Sequence, residues 1–192
     1  MFFPEDEAPD LAHIRSEILR YRSTALMNDR ERAEFIGLPE GCRIRENAKI
    51  LKPENFVCGT HVWIGEGAIL DAQGGLEIGD NTQIGLGVYL WSHTTHKQAL
   101  AGETGRDKRL IDYRPTKIGS NCFIAGPSVV GPGVTVGDGV IISPLSFVSR
   151  DVPDGAVVSN QRLIRAADER IDSLESQVQE LLQRLADLES RG

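Results

Sequence analysis

The chain has only four histidines, and two of them, His93 and His96, lie three residues apart in the segment LWSHTTHK at residues 90–97. A neutral imidazole can accept the proton of a hydroxyl group that attacks an electrophile, because its unperturbed pKa of about 6.5 suits neutral pH. Such a base needs a partner on its other ring nitrogen, and no residue type in the segment identifies one. The segment is therefore either a catalytic corner or an ordinary polar loop, and the surrounding elements decide between the two.

A six-residue repeat surrounds this segment. From Ile118 the sequence reads IGSNCF, IAGPSV, VGPGVT, VGDGVI, ISPLSF and VSRDVP, and each block begins with Ile or Val. Earlier blocks begin at Leu38, Ile44, Ile50, Cys58, Ile64, Leu70, Ile78, Ile84 and Leu90. A period of six fits neither an α-helix nor a single strand, but it fits a short strand followed by a tight turn. Three such blocks would close one triangular coil, and stacked coils would share backbone hydrogen bonds.

Two further features support stacked coils. The fourth position of a block is often Gly or Asn, as corners with positive φ require, at Gly41, Asn47, Gly67, Asn81, Gly87, Asn121, Gly133 and Gly139. The phase breaks only after a third block: two extra residues follow the first and second coils, and a long insertion follows the third. All insertions therefore leave from one corner, and His93, at the corner position of its block, would lie at the root of the longest.

The two ends differ from the repeat. Residues 11–36 carry apolar side chains at three- and four-residue spacing, which predicts a helical cap over the open end of the prism, within a region 1–37. Residues 160–192 contain four heptads with apolar a and d positions, which predicts a self-associating coiled-coil helix. Arg170 and Arg184 at g, with Glu175 and Glu189 at e, favour a parallel pairing. Ile or Val at a with Leu at d favours two strands.

The repeat over residues 38–159 resembles that of the hexapeptide-repeat proteins. The resemblance implies a mainly β fold, a left-handed parallel β-helix of about five coils, with the N-terminal helical cap and the C-terminal coiled-coil helix at its ends. The handedness is part of the resemblance and does not follow from the period. Proteins of this family are usually trimers, so we expect a homotrimer through the β-helix and the C-terminal coil, although the heptads themselves favour two strands.

The histidine segment resembles that of the sugar O-acetyltransferases of this family, which act on galactosides, maltose or polysaccharides. These carry a Ser-His or Thr-His element, then a loop, then a block like PTKIGSNCFIAGPSVV, matched here by Ser92-His93 and Thr95-His96. The resemblance implies acetyl-CoA as co-substrate, a catalytic loop over residues 92–117 and a histidine base. Direct transfer is expected because the loop contains no cysteine. The Thr-His match favours His96 as the base, and the block position favours His93.

The same resemblance assigns the remaining site residues. Gly126 and Pro144 match positions beside the pantetheine arm, Ser149 and Arg150 a pair near the nucleotide, and Arg162 and Arg165 basic residues that face phosphates. On the acceptor side, Asp71 and Gln73 lie one coil below the histidines and could bind sugar hydroxyls, while Trp91 could stack on a sugar ring. A basic loop favours an acceptor with a phosphate, such as a nucleotide- or lipid-linked sugar; its cations are Lys97, Arg106, Lys108, Arg109 and Arg114.

Composition excludes other classes. A net charge of −7 argues against nucleic acid as a partner. The chain contains no run of about 18 apolar residues, so no membrane span is predicted. The acidic N-terminus is unlike a secretory signal, and three cysteines suggest free thiols, so we expect a cytoplasmic protein. Three alternatives stay open: an amino-sugar N-acetyltransferase, a non-catalytic scaffold, and a zinc enzyme like the γ-class carbonic anhydrases, using His61, His93 and His96. The favoured function requires no metal.

Overall fold

The computed structural model describes residues 27–102, 107–159, 170–171 and 173–184. The chain divides into two compact units, residues 1–158 and residues 159–192. Residues 43–158 of the first unit form a parallel β-helix in which three sheets, here called faces A, B and C, follow one another along the chain. The mainly β, repetitive architecture that the six-residue period predicts is confirmed.

Each face is a ladder of short parallel strands, one from each turn. Face A contains β1 (Arg43–Ile44), β4 (Trp63–Ile64), β7 (Gln83–Ile84), β12 (Phe123–Ile124), β15 (Ile141–Ile142) and β17 (Val157–Val158). Face B contains β2 (Lys49–Leu51), β5 (Ile69–Asp71), β8 (Tyr89–Leu90), β13 (Val129–Val130) and β16 (Phe147–Val148). Face C contains β3 (Phe56–Cys58), β6 (Leu76–Ile78), β11 (Thr116–Ile118) and β14 (Thr135–Val136).

The residues that open the blocks form the core. On face A the inward side chains stack in register and are buried, at Ile44, Ile64, Ile84, Ile124 and Ile142. Burying each of these side chains contributes about 1.5–3 kcal/mol, which offsets the ordering of strands that are only two or three residues long. The six strands of face A give about six turns instead of the five predicted. The last turn was not predicted, because its inward residue, Val158, pairs with Ile142 sixteen positions earlier. A spacing of sixteen residues is not a multiple of the six-residue period.

The corners behave as the repeat predicts. All eight predicted Gly and Asn positions have φ between 56° and 82°. The extra residues leave only from the corner between faces B and C, here called the B–C corner. In register, Ile50 to Cys58 and Leu70 to Ile78 each span eight positions, and Val130 to Val136 spans six.

The N-terminal end carries a short helix, α1 (Asp29–Phe35), which begins with a capping box between Asn28 and Glu31. Arg32 of this helix is buried and donates hydrogen bonds to the carbonyl oxygens of Ile44 at 2.7 Å and Met27 at 2.6 Å. Beside it lies a cavity of about 510 Å³ lined mainly by apolar side chains, among them Ile50 and Phe56. Most of the predicted cap, residues 1–26, lies outside the described residues.

In the second unit, residues 170–171 and 173–184 are helical. Apolar side chains of this helix are exposed, at Ile171, Leu174, Val178, Leu181 and Leu182. The rest of the predicted coiled coil, residues 160–169, 172 and 185–192, lies outside the described residues. Within the described part of the chain, no helix has both the length and the apolar character needed to cross a membrane.

Candidate active site

The long insertion at the B–C corner folds back onto the β-helix. It begins with β9 (His93–Thr94), which pairs antiparallel with β10 (Asp112–Tyr113) near its end. Between them lie α2 (His96–Leu100) and a 3-10 turn, Lys108–Leu110, with residues 103–106 not described. The buried Gln98 side chain donates to the carbonyl of Asp107 at 2.9 Å and joins the two halves of the loop. The hairpin therefore fixes the backbone at His93.

Asp71 and His93 form the central pair of the site. The Asp71 carboxylate is completely buried, and its Oδ2 lies 2.5 Å from Nδ1 of His93. The same oxygen accepts from the backbone N–H groups of Ser92 at 2.9 Å and His93 at 3.1 Å. Oδ1 accepts from the backbone N–H of Gln73 at 3.1 Å. A buried carboxylate with this many donors is held in one orientation, and it holds the imidazole in turn.

A contact with the preceding turn also supports the Asp71–His93 pair. Ser92 is fully buried, and its hydroxyl accepts a hydrogen bond from the backbone N–H of Gly74 at 2.8 Å, one turn earlier. The Ser92 carbonyl accepts from the N–H of Arg114 at 2.8 Å, which closes the hairpin. A β-carbon at Gly74 would collide with the Ser92 carbonyl oxygen, so this approach of two turns requires glycine.

The two histidines occupy different environments. The side chain of His93 is 14% exposed, and its ring packs against Tyr113 with centroids 6.1 Å apart and planes at 27°. Among the described residues, Nε2 of His93 has no hydrogen-bond partner. His96 is exposed at the start of α2, and its Nδ1 lies 3.2 Å from the hydroxyl of Thr94. Only His93 has a buried carboxylate behind it.

The three residues predicted to bind the acceptor differ in how accessible their side chains are. Asp71 faces inward, and its oxygens are engaged by His93 and by backbone N–H groups, so it presents no oxygen to an acceptor. Gln73 is half-buried at the B–C corner one turn below His93. Trp91 is half-buried and stacked on Tyr89, with ring centroids 6.0 Å apart and planes at 10°.

The residues predicted to bind the donor lie at two corners. Ser149 and Arg150 are exposed at the B–C corner, two turns beyond His93. Gly126 and Pro144 lie at the corner between faces A and B, at the other edge of face B. Arg162 and Arg165 lie outside the described residues.

Three basic side chains of the loop, Lys97, Arg109 and Arg114, lie against carboxylates. Asp112 lies 2.6 Å from Nη2 of Arg114 and 3.6 Å from Nζ of Lys97. Asp107 lies 2.8 Å from the guanidinium of Arg109. These pairs hold the pKa of both aspartates below their usual range, mainly through hydrogen bonds from the arginines. Arg106 lies outside the described residues.

The three histidines of the zinc alternative do not meet. His61, with φ of 56°, lies beside Gly41 at the corner between faces C and A, whereas His93 lies at the B–C corner. Over the described residues, no group of three or more His, Cys, Asp or Glu side chains is placed to hold a metal ion.

Residues 115–150 match the family model of the bacterial transferase hexapeptide (six repeats). The matched segment covers β11 to β16 without the first three turns. The first three turns continue the same ladders in register with it.

The chain carries the hexapeptide repeat of this family over residues 115–150.

Two curated relatives of this hexapeptide-repeat protein are acetyltransferases of Escherichia coli K12. It is 32% identical over 114 residues to a putative colanic acid biosynthesis acetyltransferase, across 59% of each chain. It is also 32% identical over 136 residues to galactoside O-acetyltransferase, across 66% of this chain and 64% of the relative. The chain therefore spans 59% and 64% of the length of these relatives.

Two solved structures share the fold. A maltose O-acetyltransferase from Clostridium difficile 630 superimposes with a TM-score of 0.57 at 23% identity, over 82% of this chain and 85% of that one. A hexapeptide-repeat acetyltransferase from Vibrio cholerae, complexed with acetyl coenzyme A, gives 0.53 at 20% identity, over 82% and 87%.

Sequence reasoning missed the partner of His93. Asp71 and His93 are 22 positions apart, and they meet because β5 and β8 pair with Leu70 opposite Leu90. The block phase, which places Leu70 and Leu90 at equivalent positions, contained this signal. Tyr113 carried no such signal, because its place beside His93 depends on the hairpin within the insertion.

Proposed function

We propose that this hexapeptide-repeat protein is an acetyl-CoA-dependent O-acetyltransferase whose acceptor is a sugar hydroxyl. The observation that carries the proposal is the buried Asp71 carboxylate on Nδ1 of His93, which leaves Nε2 toward the B–C corner. The named relatives and fold neighbours, all acetyltransferases, support the reaction type.

The geometry assigns a role to each partner. The Asp71 carboxylate accepts a hydrogen bond from Nδ1–H of His93, which fixes the tautomer in which Nε2 is a free base. Nε2 of His93 then removes the proton of the acceptor hydroxyl as its oxygen attacks the thioester carbonyl. The tetrahedral oxyanion collapses, the carbon–sulfur bond breaks, and the thiolate takes the proton back from Nε2. Asp71 stabilises the imidazolium that exists between the two proton transfers.

The donor would extend from His93 toward the later turns. Ser149 and Arg150 share the B–C corner with His93, and an exposed guanidinium suits the phosphates of coenzyme A. The Vibrio cholerae fold neighbour was solved with acetyl coenzyme A, which supports the same co-substrate here. Gly126 and Pro144 remain proposed contacts of the pantetheine arm, and Arg162 and Arg165 proposed contacts of the phosphates.

A homotrimer is part of the proposal. On face A the outward side chains of Phe123, Ile141 and Val157 are adjacent in register and about half exposed, which makes an apolar stripe on an acidic protein. Contact with another copy would remove this stripe from water.

Acetyl transfer from acetyl-CoA to simple glycosides tests the base. We expect His93→Ala to lower kcat by about 10²- to 10⁴-fold, as the loss of a general base does. His96→Ala is the matched control and should stay within about threefold of the wild type. Unchanged kcat in His93→Ala, with melting unchanged, would overturn the assignment, and a large loss only in His96→Ala would transfer the role to that residue.

An N-acetyltransferase is distinguished by the acceptor. An amine that arrives deprotonated depends less on a base, so comparison of a glycoside with the corresponding amino sugar separates the two reactions. Acetyl-CoA itself, at about 100 times its Kd, should stabilise the fold by about 2.7 kcal/mol, which thermal unfolding detects.

A further inference from the structure

The B–C corner carries a row of polar side chains on the N-terminal side of His93. We infer that this row, here called the acceptor ledge, binds the hydroxyls of an uncharged sugar ring. It comprises Lys52, Glu54 and Asn55 of the first turn, Gln73 of the second, and Tyr113 of the hairpin. The inference rests on the proposed function and names the class of acceptor for that site.

The ledge exists because of the insertions. The first two turns each have two residues more at this corner than the turn containing β13 and β14. In the first turn those residues form a 3-10 turn, Pro53–Asn55, that begins after Lys52 at φ of 62°. An exposed lysine in the left-handed region is uncommon, and such positions concentrate at functional sites.

Hydrogen bonds connect the ledge to the proposed base. The Asn55 amide donates to the carbonyl of Gln73 at 3.4 Å, and the Gln73 N–H donates to Asp71, which holds His93. The Tyr113 ring packs on the His93 ring and is 47% exposed. An exposed aromatic ring beside amide side chains is an arrangement that suits the apolar face and the hydroxyl edge of a sugar.

The charges of the ledge favour a neutral acceptor. Lys52 lies 2.5 Å from Glu54, and this contact, with a smaller contribution from Tyr113, raises the pKa of Lys52. Lys97 and Arg114 share Asp112 at the same corner. Because these cations already have carboxylate partners, a phosphate would have to displace them. The ledge therefore departs from the phosphate-bearing acceptor that the composition of the loop suggests.

On the C-terminal side of His93, the next turn of the described β-helix has no comparable row of polar side chains. The next turn passes the B–C corner as Gly131, Pro132 and Gly133, which carry no side-chain donor or acceptor. Among the described residues, this tight turn adds no polar side chain of its own, and the side chain that lies over Gly133 is Arg114 of the hairpin.

Steady-state kinetics of the full chain test the ledge, with acetyl-CoA and either p-nitrophenyl galactoside, maltose or galactose 6-phosphate. We expect Gln73→Ala and Asn55→Ala to raise the KM of the neutral sugars about 3- to 10-fold, the loss of one neutral hydrogen bond each. The kcat and the KM of acetyl-CoA should change less than twofold. Lys49→Ala, an exposed lysine on the flat part of face B, is the control and should change nothing.

The outcomes separate the ledge from the proposed function. Transfer by the wild type with unchanged sugar KM in both variants would overturn the ledge and leave the transferase intact. Preference for galactose 6-phosphate over the neutral sugars would also overturn it. No transfer to any of the three acceptors would overturn the ledge together with the O-acetyltransferase proposal.

An independent observation concerns the C-terminal helix. Its apolar a and d side chains, Ile171, Leu174, Val178 and Leu181, are 45–61% exposed. We propose that this stripe packs against the same segment of two other copies of the chain, in parallel. An exposed stripe of this spacing is the seam of a coiled coil.

The charged residues beside the stripe determine the direction in which the helices pair, and the width of the apolar face determines the number of chains. Arg170 at g would face Glu175 at e of the next copy in a parallel, in-register pairing. An antiparallel pairing would bring g against g and e against e, which repeats like charges. Leu182 occupies an e position and is 57% exposed, so the apolar face covers a, d and e instead of the narrower seam of two strands.

Disulfide trapping in the full chain tests the coil. Leu174→Cys at d should give a cross-linked dimer on mild oxidation, and one chain of each three should stay unlinked. Ser176→Cys on the outer f position is the matched control and should give little. Equal cross-linking at both positions, or none at Leu174→Cys, would overturn the coil. A mass by light scattering of twice the 21.0 kDa chain would overturn the three-chain assignment.

Discussion

Replacement of Asp71 by asparagine separates the charge of this carboxylate from its shape. Oδ2 of Asp71 faces four donors, the N–H and hydroxyl of Ser92 and the N–H and ring of His93, whereas Oδ1 faces only Gln73 N–H. The amide oxygen of Asp71→Asn should therefore take the place of Oδ2, and the NH₂ group the place of Oδ1. In this orientation the tautomer of His93 is preserved and only the negative charge is lost.

The magnitude follows from that orientation. A hydrogen bond to a charged group contributes about 1.5–3 kcal/mol, and in Asp71→Asn this charge no longer stabilises the imidazolium. The loss corresponds to about a 10- to 150-fold lower kcat, which is smaller than the loss expected for removal of the imidazole. The amide NH₂ would also face the Gln73 N–H, and an unsatisfied buried donor costs about 1–3 kcal/mol of folding free energy.

The assay is acetyl transfer under saturating acetyl-CoA, together with denaturant unfolding of the same preparation. Asp71→Ala is the companion variant, because it removes the orientation as well and should be less active than Asp71→Asn. A kcat within twofold of the wild type for Asp71→Asn would refute the role of the charge. A loss near 10⁴-fold would refute the assigned orientation, since that size indicates the wrong tautomer.

Three further predictions concern the β-helix that carries the site. Gly74→Ala should lower the free energy of unfolding by about 1–3 kcal/mol, because its β-carbon meets the Ser92 carbonyl; unchanged denaturant unfolding would contradict this. Hydrogen bonds from Thr60 lower the pKa of Asp80, so its stabilisation is present above the unfolded pKa of about 4 and is lost as the pH falls through the folded value. Asp80→Asn should therefore flatten the fall of Tm below pH 4, and an unchanged slope would count against it. Burial raises the pKa of the thiols of Cys58 and Cys122, so both should react with a disulfide reagent far more slowly in the native protein than in the unfolded one, which absorbance of the released thiolate measures.

The fold was predictable because the repeat acts locally. Nearly every block contains its own inward Ile, Leu or Val, and eight contain a Gly or Asn corner, so a short window of sequence predicts a strand, a turn and the face to which they belong. The corner of the insertions followed from the same phase. The sixth turn did not follow from that phase. The last B–C corner is shorter, and it places Val152 beside Val136 at a position that the six-residue repeat does not predict.

The site was predictable only in part, because its contacts cross turns. The repeat places His93 at the root of the insertion, yet Asp71 becomes its partner through register between β5 and β8 and through burial, neither of which a residue type reveals. The ion pairs of the loop were not predictable for a similar reason. Its cations are visible in the sequence, while their pairing with Asp112 and Asp107 depends on how the hairpin folds.

The confinement of every insertion to one corner has a consequence for how such a protein can change. The ladders of faces A, B and C supply the stability, and they run past the B–C corner without depending on its length. Exchange of residues 52–55 for a segment of another size would leave the strand register intact. Acceptor preference could then drift, or be engineered, at the first turn while the scaffold and the Asp71–His93 pair, which Gln73 and Gly74 support, stay in place.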